Sequence, residues 1–173
     1  MTELKELIES KLIHLKKIKE KGINPYPYKY TPTHYSDQLH EKFDKIKASE
    51  ETGFKAKISG RIKIIRSFGK LAFIDLQDSK GKIQVSLKEN YSDKKSFELS
   101  ELLDAGDIIG AEGEVVKTKK GELTVQAKNI TLLCKSILPL PSKWHGLQDV
   151  ETRYRQRHLD LIMNPEVSKV FET

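Results

Sequence analysis

The sequence has little cysteine and no long apolar run, and both shortages limit what kind of protein it can be. Its 173 residues include one cysteine, Cys134, which excludes an intramolecular disulfide framework and fits a reducing compartment. No run approaches 18 apolar residues, so no transmembrane helix is predicted, and the amino terminus lacks the apolar core of a secretion signal. The five histidines show no metal-ligand spacing, and we expect no zinc site. These features favour a soluble, cytoplasmic protein.

Positive charge is what the chain has in excess. Lysine and arginine number 31 against 25 aspartate and glutamate residues, which gives a net charge of +6. A basic surface favours a polyanionic partner such as nucleic acid. Lysine-rich surfaces are also common in thermophiles and in AT-rich genomes, so charge alone leaves both explanations open.

The amino-terminal part has a helical period. Apolar residues at intervals of three and four predict an amphipathic helix over 2–21 that ends at Gly22. Its inward residues are expected to be Leu4, Leu7, Ile8, Leu12, Leu15 and Ile18. Residues 23–36 contain three prolines and four tyrosines, which predicts an extended segment lying over a surface. Residues 37–48 predict a short second helix with Leu39, Phe43 and Ile46 facing inward.

From Gly53 the hydrophobic period changes to two, which predicts five strands. Their expected inward residues are Ile58, Ile62 and Ile64; Ala72, Ile74 and Leu76; Ile83, Val85 and Leu87; Ile109, Ala111 and Val115; and Leu123, Val125 and Ala127. Glycine-containing connections at 67–69, 79–81 and 119–121 are typical of hairpins. Residues 93–105, between the third and fourth strands, have a helical pattern.

Three strands, a helix and two strands form the order of the OB-fold, a closed five-stranded barrel that binds oligonucleotides. We therefore predict a mainly β chain with a helical extension at 1–52, an OB-fold at 53–135 and a carboxy-terminal helical linker at 136–173. A small β-rich domain of another topology is the alternative, which the intervening helix disfavours.

The alternation also predicts which side chains face outward. Phe73 on the second strand and Gln84 on the third should lie on the face that OB-folds use for ligands. An exposed aromatic ring there can stack on a base, and a glutamine amide can hydrogen-bond a base edge. Three cations on the first strand are expected to contact the phosphate backbone: Lys57, Arg61 and Lys63. The structural alternative for an exposed phenylalanine is packing under a loop.

The barrel resembles the anticodon-binding domain shared by lysyl-, aspartyl- and asparaginyl-tRNA synthetases. In that subclass an arginine lies seven residues before a phenylalanine, a glutamine follows eleven residues later, and a glutamate follows a glycine in the last hairpin. Arg66, Phe73, Gln84 and Glu122 stand at those positions. The resemblance implies that Phe73 stacks on the central anticodon uridine while the other three contact anticodon bases. All three amino acids have codons that place uridine there, so these residues identify only the subclass.

Other segments resemble class II lysyl-tRNA synthetases in particular. They are the KGINPYP motif at 21–27, the LPLP and WHGL motifs at 138–141 and 144–147, and the run from 146 to 164. Trp144 and His158 replace aromatic residues that are more usual as phenylalanine or tyrosine. The resemblance extends over essentially all 173 residues and argues against an aspartyl or asparaginyl enzyme.

The resemblance implies the amino-terminal part of a longer lysine–tRNA ligase. The full-length enzyme would be a homodimer that uses ATP and magnesium to attach lysine to its tRNA. Its three catalytic motifs would begin beyond Thr173, and residues 1–173 offer no acid/base pair, nucleophile or phosphate loop. We therefore expect no catalytic residue and no cofactor site here, and an inactive chain. Arg153, Arg155 and Arg157 are expected to pair with acids of the missing domain or of the dimer partner.

The competing function is a freestanding OB-fold protein that binds RNA or single-stranded DNA without catalysis.

Overall fold

The computed structural model describes residues 2–43, 45–47, 51–140 and 149–171. The chain divides into two compact units, Met1–Ile137 and Leu138–Thr173. The WHGL motif at 144–147 and residue 48, the predicted end of the second helix, lie outside the described residues. Within the described part of the chain, no helix is long and apolar enough to cross a membrane.

The first unit is a five-stranded barrel with three helices. Its elements in chain order are α1 (Thr2–Glu20), α2 (Ser36–Phe43), β1 (Glu51–Phe68), β2 (Leu71–Gln77), β3 (Lys82–Lys88), α3 (Lys94–Ser100), β4 (Ile108–Lys117) and β5 (Leu123–Cys134). The strands close in the order β1-β2-β3-β5-β4, and β4 pairs with β1 to complete the ring. Only β3 and β5 pair in parallel. The predicted mainly β fold class, with its amino-terminal helix, is confirmed.

The predicted alternation is wrong at one position in β1. The pairing of β1 with β2 shifts register between Ile62 and Ile64, which places a β-bulge at Lys63. One extra residue reverses the face of every side chain that follows it. Ile64 is consequently 41% exposed, and Ile65 packs against the core in its place.

Two helices end earlier than the hydrophobic pattern predicted, α2 at Phe43 and α3 at Ser100. After α2, the Ile46 N–H donates to the Phe43 carbonyl at 3.4 Å, and the Ile46 carbonyl accepts from Lys117 Nζ at 3.0 Å. Beyond α3, where the pattern predicted helix to residue 105, the Leu102 carbonyl accepts a hydrogen bond from Lys135 Nζ at 3.1 Å.

The apolar face of α1 is only partly covered. Ile18 is fully buried, as predicted. Three of the other predicted inward residues are about half exposed: Leu4, Leu7 and Leu12. At the centre of the contact lies Lys11, which is 6% exposed and donates to the carbonyls of Ala105 and Ser136 at 2.9 and 3.2 Å. Backbone carbonyl oxygens of the barrel unit face this turn of α1 and accept from the lysine. Lys11 is therefore buried, although the hydrophobic pattern predicted that leucines would fill this contact.

An ionic cluster is buried beside this contact. Lys135 Nζ, with no exposed side-chain surface, donates to Asp107 Oδ2 at 2.7 Å and also to Asp104 Oδ2. His14 of α1 lies 3.0 Å from the same Asp104 carboxylate. Burial alone would raise the pKa of Asp104, but hydrogen bonds from Lys135 and His14 outweigh it and hold that pKa below its usual value.

The second unit consists of three short helices, α4 (Val150–Arg155), α5 (Arg157–Met163) and α6 (Pro165–Val170). Its arginines pair inside the unit. Arg153 Nε donates to Asp160 Oδ1 at 2.9 Å, Arg157 donates to the other oxygen of that buried carboxylate, and Arg155 pairs with Glu151 at 2.8 Å. The expectation that these arginines pair with acids of another domain or subunit stays a prediction, and the pairs described here lie inside the unit.

Candidate nucleic-acid interface

A groove of about 870 Å³ crosses the outer face of the barrel. Its floor comes from outward residues that are paired in register on neighbouring strands: Arg66 lies opposite Phe73, and Phe73 lies opposite Ser86. Strict alternation after Ile62 would turn Arg66 into the core. The bulge at Lys63 places Arg66 on the same outer face as Phe73.

The guanidinium of Arg66 is held by a two-point ion pair. Its Nη1 and Nη2 donate to the two oxygens of Asp75 at 3.0 and 2.8 Å. The side chains are 40% and 29% exposed, so the pair is only partly shielded from water. An arginine has five N–H donors in a fixed planar arrangement, and Asp75 occupies two of them. The pair therefore orients the guanidinium while the remaining donors can serve a ligand.

Gln84 is oriented by its neighbour on β5. Gln84 and Thr124 pair in the parallel ladder, and the Thr124 hydroxyl donates to Gln84 Oε1 at 2.9 Å. That bond occupies the amide oxygen and leaves the NH₂ group as the part of Gln84 that can donate to a ligand.

Glu122 lies in the hairpin between β4 and β5. The hairpin is closed by two hydrogen bonds, from the Thr118 N–H to the Glu122 carbonyl at 2.9 Å and from the Glu122 N–H to Thr118 Oγ1 at 3.1 Å. Glu122 lines the groove and also an adjoining cavity of about 240 Å³, which Arg66 and Gln84 line as well. The structure thus brings Arg66, Phe73, Gln84 and Glu122 together.

The three cations predicted on β1 do not line either cavity. Arg61 Nη1 donates to the Gly106 carbonyl at 2.9 Å, and Lys63 is the bulge residue. Lys57 Nζ lies 4.7 Å from the ring centroid of Tyr30, in the extended segment that crosses β1 and β4. Their role as phosphate contacts stays a prediction.

The Tyr30 ring that Lys57 meets is itself fixed against the barrel. It fills the space beside Gly110, where a Cβ would come within 2.1 Å of the ring. Burial, and then the nearby Glu112 carboxylate, raise the pKa of Tyr30 to about 12. The Thr33 N–H donates to the Lys57 carbonyl at 2.7 Å, so the extended segment is tied to β1 here.

The groove has other cations, which were not among the site residues predicted from the sequence. They are Lys88, Lys117, Lys119 and Lys120. Two of them could have been found from their place in the last hairpin, immediately before Gly121 and Glu122. Lys88 follows Ser86 by two residues on β3, and alternation therefore predicts the same face for both.

Phe68 is a second aromatic residue of the groove that was missed. The sequence pattern assigned it to the first hairpin turn, but β1 continues through Phe68 and the turn is Gly69–Lys70, with Gly69 at a φ of +61°. Phe68 is 63% exposed, and its ring centroid lies 6.5 Å from that of Phe73 at an interplanar angle of 69°.

The barrel matches a known protein family. Residues 56–133 match the tRNA anti-codon family, described as an OB-fold nucleic acid binding domain. This region is an OB-fold nucleic acid binding domain. The predicted barrel topology and its class of ligand are therefore confirmed, and the groove lies on the face that such barrels use for ligands.

Relatives of the OB-fold domain extend the match to most of the chain. The chain is 46% identical over 170 residues to a lysine–tRNA ligase of Trichormus variabilis. The aligned region covers 94% of this chain and 30% of the relative. A lysine–tRNA ligase of Moorella thermoacetica is 44% identical, with 97% of this chain and 33% of the relative aligned. One of Dehalococcoides mccartyi is 48% identical, with 94% of this chain and 33% of the relative aligned. The chain thus spans about a third of these relatives, in their amino-terminal part, and the predicted resemblance is confirmed.

Across the described residues, no three histidine, cysteine, aspartate or glutamate side chains lie together as a group that could hold a metal ion.

Proposed function

We propose that the OB-fold domain binds the anticodon loop of a lysine tRNA, with residues 53–135 as the binding domain, 1–52 as its helical extension and 136–173 as a linker toward a catalytic domain. The observation that supports this most is the placement of Phe73, Arg66, Gln84 and Glu122 around one groove. An aromatic surface beside oriented donors and an acceptor suits an unstacked base of a single-stranded loop.

The polar groups match the edge of uracil better than that of cytosine. The Watson–Crick edge of uracil presents an acceptor, a donor and an acceptor, at O4, N3–H and O2. Arg66 and the NH₂ group of Gln84 are donors, and the Glu122 carboxylate is an acceptor. Cytosine would present an amino donor where uracil has O4, so a donor facing that position disfavours it.

The alternative of a freestanding single-strand binder explains the stacking surface and the cations equally well. Two observations favour the synthetase. The relatives match the extension and linker as well as the barrel, and their names describe lysine–tRNA ligases. A general binder would also gain nothing from a donor that disfavours cytosine.

For the whole protein we propose the activity that the relatives' names describe, attachment of lysine to tRNA. The full-length enzyme would use ATP and magnesium, act in the cytoplasm and form a homodimer. We place catalysis and ATP binding in parts of the protein outside the 173 residues, because the chain spans only about a third of its relatives' length.

Competition binding tests the proposal. Lysine-tRNA anticodon stem-loops with U, C, A or G at the central position are compared on the wild-type chain, Phe73→Ala and Gln84→Ala. We expect the wild type to prefer uridine, Phe73→Ala to weaken binding of the uridine loop by roughly 1–3 kcal/mol, and Gln84→Ala to reduce the preference between bases. The matched control is Gln77→Ala, on β2 but outside both cavities.

Equal affinity of the wild-type chain for all four loops would refute anticodon recognition at this groove and leave a general single-strand binder. An unchanged base preference in Gln84→Ala would remove the assigned role of that amide.

A further inference from the structure

Phe68 is the most exposed apolar side chain of the groove, and no role in the proposed function accounts for it. At 63% exposure it gains little from burial. A ring that served only to support Phe73 would be expected beneath or behind it, shielded from water. Instead, Phe68 lines the groove beside Phe73 and presents most of its surface to solvent.

The geometry of the two rings excludes a single base stacked on both. Their planes differ by 69°, whereas stacking needs nearly parallel rings. Their centroids are 6.5 Å apart, close to the spacing of two same-face residues along a strand. Successive bases of a single strand can each stack on a separate aromatic side chain of such a surface.

The row of side chains that contains Phe68 also supplies positive charge. Phe68 pairs with Leu71 across the first hairpin, and Leu71 pairs with Lys88 on β3. Lys88 Nζ donates to Gln126 Oε1 at 3.1 Å, which holds its ammonium over the groove side of β3 and β5. An apolar ring and an ammonium group in one row suit a base and the phosphate attached to it.

Given the proposed function, on which this inference rests, we propose that Phe68 is a second stacking platform, which holds the nucleotide adjacent in sequence to the base on Phe73. The groove then has two base sites turned by about 70° to each other, one beside Arg66 and Gln84 that distinguishes bases and one at Phe68 that accepts any base. The second site adds affinity without base preference, because every base has a π-face.

A binding cycle with abasic stem-loops tests the proposal. The loops are the intact uridine loop and two loops that lack the base on the 5′ or the 3′ side of the central position. The variants are Phe68→Ala, Phe68→Trp, Phe73→Ala and the double variant of Phe68→Ala with Phe73→Ala. Tyr28→Ala is the control because Tyr28 is fully exposed and lies outside the groove. Phe68→Leu keeps an apolar side chain without a flat ring, which separates stacking from folding.

We expect Phe68→Ala and Phe68→Leu to weaken the intact loop about five- to 150-fold, and Phe68→Trp to retain affinity. The loss should disappear on one of the two abasic loops, because the base that Phe68 holds is already missing there. The uridine preference should be unchanged in Phe68→Ala.

Two results would overturn the proposal and leave anticodon recognition intact. In one, Phe68→Ala binds like wild type while Phe73→Ala is weakened. In the other, the Phe68→Ala loss persists on both abasic loops and vanishes only in a Phe73→Ala background, which would make Phe68 a support for Phe73. If neither phenylalanine matters and all four central bases bind equally, the proposed function fails and this inference fails with it.

Discussion

Replacing Lys135 by methionine should destabilise the chain strongly while leaving the groove untouched. The side chain of Lys135 is fully buried, and its ammonium is the cation that both Asp104 and Asp107 contact. Methionine has a similar length and removes only the charge and the hydrogen bonds. The Asp107 carboxylate, which is also fully buried, would then lose its ammonium partner.

The size of the effect follows from burial. Removing one partner of a buried ion pair costs about 3–5 kcal/mol, because the other charge is left uncompensated. Native domains have a total stability of about 5–15 kcal/mol, so the variant would lose a large share of it. With an m-value of about 2 kcal/mol/M, the urea midpoint should fall by about 1.5–2.5 M.

The effect should also depend on pH in a defined direction. In the wild type, the pKa of Asp104 lies below its ordinary value of 3.8, so its contribution is complete above that pH and is lost as the pH falls through the folded-state pKa. In Lys135→Met, burial still raises the pKa of Asp104 and the contact with His14 still lowers it, whereas the hydrogen bond and charge of Lys135 are gone. The carboxylate can then take up a proton at higher pH, and the destabilisation should be smaller at pH 5 than at pH 7.

The assay is urea unfolding followed by far-ultraviolet circular dichroism at both pH values. Lys95→Met, at an exposed position of α3, is the matched control and should stay within about 0.5 kcal/mol of wild type. A loss below 1 kcal/mol in Lys135→Met at pH 7, or a loss that grows toward pH 5, would refute the reasoning that the cluster is an ion pair shielded from water.

Two further predictions concern charge and catalysis. Lys120→Ala should weaken binding of every stem-loop alike and lower the slope of log affinity against log salt by about one, because a phosphate contact is lost. The same measurement on Lys57→Ala tests whether the first half of β1 also contacts phosphates. Purified chain should give no lysine-dependent ATP–pyrophosphate exchange, because the proposed function places catalysis in the two thirds of the relatives that the chain does not span. Exchange above that of a mock purification would contradict this.

Most of the barrel could be predicted from alternation, because its interior accepts only apolar side chains from every strand. Ile74 on β2 and Val85 on β3 are fully buried as the period of two indicated. The ends of the helices could not be predicted in this way. The residues that the pattern added to α2 and α3 instead include Ile46 and Leu102, whose carbonyls accept from lysines far away in sequence.

The exposed surface of α1 shows the same limit. A leucine at helical spacing indicates an apolar face but not how much of that face its own chain covers. Leu4 and Leu7 match the pattern as well as Ile18 does, yet only Ile18 is buried. The buried Lys11 gave no signal in the pattern, because its burial depends on two carbonyl groups more than 90 residues away.

The bulge at Lys63 reconciles two opposite predictions for Arg66. Alternation through Ile62 and Ile64 predicts that Arg66 lies inside the barrel, whereas the resemblance to the tRNA synthetases implies that it lies at the ligand face. A straight strand cannot satisfy both, since residues 62, 64 and 66 share one face. One extra residue after Ile62 resolves the conflict: Ile65 turns inward, Arg66 turns outward opposite Phe73, and Asp75 on the next strand is then within reach of the guanidinium. The irregularity in the strand is therefore what assembles the candidate site.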